Sequence, residues 1–78
     1  MKQIVERRDT LSITVDEFEP VCYTVLRSGF VGQILLVRED AVGGLDIKRM
    51  TRGHFVEQYK ELQDREGTVL DFIEKILM

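Results

Sequence analysis

The chain of 78 residues has one cysteine, one proline and one histidine, and it has no apolar run long enough to span a bilayer. Each scarcity removes a class of protein. With Cys22 alone, no disulfide forms within the chain and no cysteine-based zinc site can be assembled. A membrane span needs about 20 largely apolar residues in a row, and a secretory leader needs an apolar stretch behind a basic start. Neither pattern occurs, so the expectation is a cytoplasmic protein that makes no use of a membrane. No repeat, low-complexity segment or Pro/Gly/Ser linker divides the chain, and residues 1–78 read as a single domain. Glycine spacings of the kind that cradle phosphates are missing as well, which leaves Gly43-Gly44 as a turn.

What is present is a globular balance of 44% apolar and 32% charged residues. The net charge of -3 opposes a general electrostatic affinity for nucleic acid. Fourteen acids against eleven bases are also too even to mimic a line of phosphates.

The period of the apolar residues changes at Thr51. Before it they alternate, as in Leu11, Ile13, Val15 and in Val21, Tyr23, Val25; after it they recur every third or fourth position, as in Phe55, Tyr59, Leu62. Period two belongs to strands and period 3.6 to amphipathic helices, so a sheet is followed by a helical cover. The predicted strands are a short one through Ile4, then Thr10 to Val15, Val21 to Arg27, Phe30 to Arg38 and Leu45 to Met50. Turns fall at Ser28-Gly29 and around Ala41-Val42-Gly43-Gly44. Pro20 lacks an amide and belongs at a strand start or an edge. Ile34-Leu35-Leu36-Val37 is apolar on both faces, which predicts a central strand covered on both sides.

Thr51 is the expected N-cap of the first helix. That helix sets Phe55, Val56, Tyr59 and Leu62 on one side, and the four-residue charge pairs Glu61/Arg65 and Lys60/Asp64 on the other. Gly67 stops or bends it, and Thr68 with Asp71 repeats a start signal of the capping-box kind. The last segment spreads Val69, Leu70, Phe72, Ile73, Ile76 and Leu77 over a wide apolar arc. The expected fold is α+β: an antiparallel β-meander of four to five strands followed by two C-terminal helices, or by one helix bent at Gly67.

From Gly44 to Leu62 a strand containing Met50 leads through a turn to Phe55, Tyr59 and the aliphatic Leu62. This segment resembles the tail of small accessory proteins encoded by bacteriophages. It departs from them upstream, where Gly32-Gln33-Ile34 replaces an acidic Gly-Asp-aromatic opening, and in its longer helical part. The resemblance implies a phage or prophage origin. It assigns no activity and no functional residue.

Four groups of residues are candidates for a site. Lys48, Arg49, Arg52 and His54 cluster around the start of the first helix, where free amides and cations can hold a phosphate or carboxylate. Phe18 stands among Asp16, Glu17 and Glu19 and would anchor an interface if it does not fold back on the core. Phe72, Ile73, Ile76 and Leu77 either cover a sheet face within the chain or form the surface of a homodimer or of a protein partner. Cys22 reads as a buried structural thiol, because the one histidine, His54, is not brought near it by any spacing. No catalytic residue, metal ligand set or cofactor is expected. The leading expectation is a non-catalytic protein-binding module, an inhibitor or modulator of a host protein. The alternative is a binder of a nucleotide, nucleic acid or other phosphate-bearing ligand at the basic corner.

Overall fold

The computed structural model describes residues 2–16 and 18–78; Met1 and Glu17 of the acidic loop lie outside the described residues. Five strands come first: β1 (Gln3–Glu6), β2 (Thr10–Val15), β3 (Val21–Arg27), β4 (Gln33–Glu39) and β5 (Leu45–Thr51). Helix α1 (Arg52–Gln58), a 3-10 turn (Lys60–Leu62) and helix α2 (Thr68–Leu77) follow. Every strand pairs antiparallel with its chain neighbour, in the order β1-β2-β3-β4-β5, so the α+β meander followed by two helices is the fold of this chain.

The registers show how the alternation is used. Leu11 lies opposite Val25 and Val25 opposite Leu36, while Ile34 lies opposite Met50; these side chains share one face of the sheet and are buried. Phe55, Leu62, Val69, Phe72, Ile73 and Ile76 pack onto that same face, and together the two sets make one core. Burying such a side chain contributes about 1.5 to 3 kcal/mol. The helices therefore form a single layer. Ile34 and Leu36 of β4 are covered by it, whereas Leu35 and Val37 point the other way, where no described helix or second sheet packs; the expected cover on both sides of β4 is corrected.

Turn chemistry sets the hairpins. Asp40 Oδ1 accepts the amides of Val42 (3.2 Å) and Gly44 (2.6 Å), and Gly43 takes φ 86°, a left-handed value that suits glycine. A side chain at Gly44 would run into the Asp40 carboxylate. The β3–β4 connection is wider than the expected Ser28-Gly29 turn, because the loop continues to Gly32 and β4 begins only at Gln33.

The helical part departs from its periodicity. Thr51 caps α1 as expected, accepting the His54 amide at 3.2 Å. The helix then stops at Gln58, since Tyr59 leaves helical geometry at φ -123°, ψ 50°. The single tight turn that follows buries Leu62 completely, and Gln63 Nε2 donates to the Val56 carbonyl at 3.0 Å to tie the turn back to α1. The expected pair between Lys60 and Asp64 is thereby corrected. Asp64 turns instead to the start of α2, where its two carboxylate oxygens accept the amides of Thr68 and Val69, each at 3.1 Å. Gly67, with φ 78°, occupies the N-cap position, so Thr68 is the first residue of α2 and not its cap. At the far end Arg27 Nε donates to the Ile76 carbonyl at 2.6 Å, a cation placed at the negative end of the helix dipole.

Burial raises the pKa of Asp64, but the hydrogen bonds from Val69 and Thr68 outweigh it and hold the carboxyl below its ordinary value of 3.8. A carboxyl with a depressed pKa in the folded state adds stability above its unfolded value and loses it as pH falls through the folded one. Stability should therefore drop below about pH 4, and Asp64→Ala should lower it at neutral pH by about 1 kcal/mol, the usual cost of a lost cap. Thermal melts of both proteins from pH 2.5 to 7 check this: the gap between them should close at the acid end, and a gap that stays constant would remove Asp64 as the source.

Candidate functional site

The side of the sheet turned away from the helices is built from the other half of each alternating strand. Its central row runs from Val5 on β1 through Ser12, Thr24 and Val37 to Ile47 on β5. A second row holds Thr10, Leu26, Leu35 and Arg49; a third holds Thr14, Cys22, Glu39 and Leu45. Solvated antiparallel sheets usually show a polar outer face. Here β3, β4 and β5 place Leu26, Leu35, Val37, Leu45 and Ile47 on it. Ile47 is 56% and Leu45 63% exposed, and Leu26, Leu35 and Val37 are half-buried. Next to this band Phe30 carries the Arg49 guanidinium 3.9 Å above its ring, a cation–π contact that holds the arginine flat on the surface.

Cys22 belongs to this face. Tyr23 takes the covered side, where its ring meets Tyr59 edge-on at 6.4 Å, and adjacent strand residues point to opposite faces. The thiol is thus half-buried on the open side and not in the core, a correction to the expected buried thiol; the larger aromatic ring has the stronger claim on the core.

The basic corner does not assemble. Lys48 and Arg49 are successive residues of β5 and point to opposite faces; Lys48 Nζ lies 3.9 Å from Asp46, and Arg49 lies over Phe30. Arg52 is paired with Glu74 of α2 at 2.9 Å. His54 is exposed in the first turn of α1. A ligand at the helix start would meet Arg52 already neutralised and would have neither Lys48 nor Arg49 facing it together.

Phe72, Ile73 and Ile76 lie in the chain's own core and are closed to a partner in the folded protein, which corrects their assignment to an interface. The sheet face they cover would otherwise be bare, and it takes up all three. Leu77 packs half-buried at the edge of that core. Phe18 is 96% exposed and does not fold back, and its amide donates to Asp16 Oδ1 at 2.9 Å. Among the described residues no group of three or more His, Cys, Asp or Glu side chains is arranged to hold a metal ion, and no helix is long and apolar enough to cross a membrane.

A shallow groove also runs between the β3–β4 loop and the end of α2, lined by Arg27, Phe30, Gln33, Ile76 and Met78. Arg27 fills its floor by bonding the Ile76 and Met78 carbonyls, and Gln33 Oε1 is left buried without a donor among the described residues. The open sheet face is thus the feature that reading by residue missed. Its signal was the doubly apolar stretch Ile34 to Val37, which stands on two faces when only one is covered.

No protein-family model matches the chain, and neither a curated protein nor a solved structure matches it.

Because Ile73 is fully buried between α2 and the sheet, Ile73→Asp should abolish cooperative folding and not release a folded monomer. Circular dichroism melts report this directly; a variant with native-like melting would return Ile73 to the surface.

Proposed function

We propose that the chain is a cytoplasmic, non-catalytic module that binds another protein through the open face of its sheet, with Leu26, Leu35 and Val37 at the centre of the contact. One observation carries the proposal: three adjacent strands place aliphatic side chains on a sheet face that no described element of the chain covers. Contiguous exposed apolar surface rimmed by polar groups is the ordinary mark of a protein contact. Here the rim is Arg49 at one end of the band and Glu39 at the other, which gives a partner a polarity to match.

The total surface supports it too. The accessible area is 5476 Å², against roughly 4900 Å² for a compact monomer of 9.1 kDa. The uncovered sheet face contributes to this excess together with the exposed loop and terminal side chains of Phe18, Val31, Val42 and Met78. The partner in this reading is a host protein that the module inhibits or modulates; the resemblance of residues 44–62 to bacteriophage accessory proteins supports the phage origin and no particular activity. The phosphate-binding alternative draws no support from the placement of Lys48, Arg49, Arg52 and His54, which face different ways or are already paired.

Cys22 is the one thiol of the chain and stands on the open face, so it reports on occupancy. Affinity capture from a lysate of the source cells at low and at high salt, with nuclease present, should retain a protein at both salt concentrations. That protein should slow thiol labelling of Cys22, and the double variant Leu35→Lys, Val37→Lys should lose it while keeping its melting temperature within a few degrees. Capture that disappears at high salt or with nuclease would favour the phosphate reading, and capture by the double variant would place the contact elsewhere.

A further inference from the structure

The sheet has two edges of different character. β1 at one end is four residues long, and Glu6 at its end is drawn toward Lys75 of α2 at 3.5 Å. β5 at the other end runs for seven residues, and all but Met50 are exposed. Among the described residues, none of Leu45 to Met50 makes a backbone hydrogen bond beyond the ladder to β4. A long open edge is a template for another strand, and proteins usually blunt it with charges. β5 carries three, Asp46, Lys48 and Arg49, and their order matters more than their number.

We infer that two copies of the chain pair through β5, antiparallel and about a two-fold axis that passes between Ile47 of one copy and Ile47 of the other. A two-fold perpendicular to the sheet sets each residue opposite one at the same distance on the far side of the central residue, and residues opposite one another share a face. Few centres are available. At Asp46 two carboxylates would meet, at Lys48 two ammonium groups, and at Arg49 two guanidinium groups; like charges directly opposite are destabilising. At Leu45 the charge of Asp46 falls opposite Gly44 and has no partner. Centred on Ile47, Asp46 faces Lys48 of the second copy, and the same pair repeats on the other side of the axis.

That register also sorts the faces. Asp46, Lys48 and Met50 lie on the helix-covered side, where the Asp46 and Lys48 side chains are already 3.9 Å apart within one chain and about half exposed. In the dimer each lysine stands between two carboxylates, its own and the second copy's. Leu45, Ile47 and Arg49 lie on the open side. There Ile47 meets Ile47 and Leu45 lies along the stem of Arg49, so the apolar band of one sheet runs into that of the other without a break. A two-fold contact closes on itself, whereas β5 adding to β1 of a further molecule would propagate into a fibre. The charges therefore act as a key for one register: they repel at the Asp46, Lys48 and Arg49 centres and go unpaired at Leu45. The inference is separate from the reading of the open face, since its determinants Asp46 and Lys48 stand on the opposite side of the sheet.

Sedimentation velocity from micromolar to millimolar protein at low salt tests it, and a concentration-dependent dimer is expected. Asp46→Lys sets lysine against lysine and Lys48→Asp sets carboxylate against carboxylate. Each should weaken the dimer about tenfold or more. The double variant Asp46→Lys, Lys48→Asp restores opposite charges and should recover an affinity close to that of the wild type, while circular dichroism shows all three folded. In a Cys22→Ser background, Ile47→Cys should oxidise to a symmetric intermolecular disulfide, because residues at the axis lie within disulfide reach, and Lys48→Cys should cross-link far more slowly. A monomer over the whole range would overturn the inference, as would a dimer that both single reversals leave intact. Loss of dimer in the double variant, or faster cross-linking at 48 than at 47, would overturn the register. If the dimer fails these tests while Leu35 and Val37 still govern capture of another protein, the open-face reading stands alone.

Discussion

One layer of helix against two apolar faces is the constraint from which the rest of this structure follows. Alternation along β3, β4 and β5 produces apolar side chains on both sides of the sheet, and α1, the 3-10 turn and α2 together cover one. Nothing in the strand pattern decides which side is covered. The decision comes from where β5 leaves the sheet: Met50 is buried on one face, Thr51 caps α1, and Phe55 returns to the same face a turn later. Once Phe55 is seated beside Met50, the remaining helical residues are committed to that side.

The break between α1 and α2 is a consequence of the same commitment. Between the two helices the chain turns back, so that α1, the 3-10 turn and α2 all pack on the same face of the sheet. Tyr59 ends the first helix while its ring stays between Phe55 and Tyr23, stacked on one at 5.8 Å and edge-on to the other. Leu62 fills the corner, and Asp64 restarts the helix. Arg27 then holds the far end of α2 against β3 through the Ile76 carbonyl. Packing thus sets the length of each helix.

Most of the sheet was legible in the sequence because period two and the turn residues report the same boundaries independently. Thr10–Val15 and Val21–Arg27 appear as read. The new helix start after Gly67 was legible, but the earlier stop at Gln58 was not, since Glu61/Arg65 and Lys60/Asp64 stand at spacings an uninterrupted helix would use, and the burial of Leu62 that overrides them is a tertiary fact. The same holds for Cys22 and Tyr23: alternation says that they face opposite ways and leaves open which one meets Tyr59. The basic corner failed for a simpler reason. Lys48 and Arg49 are neighbours in sequence, and in a strand neighbours are separated by the sheet itself. Val37 and Leu35 are the converse case, where the residues were read correctly as apolar and only their cover was misjudged.

The open face and the free edge of this protein are tied together by a single register. Met50 opposite Ile34 anchors β5 to the core, and a slip of one residue would carry Arg49 or Thr51 into that position and turn Met50 out to solvent. With Met50 fixed, parity fixes everything else on the strand. Asp46 and Lys48 must lie on the helix side and Leu45, Ile47 and Arg49 on the open side, so the charges at the edge and the apolar band on the face cannot exchange places. Arg49 is pinned further by the Phe30 ring. The core therefore does more than stabilise the chain: by holding β5 in one register it determines which chemistry each exposed surface presents, although the residues that present it touch the core hardly at all.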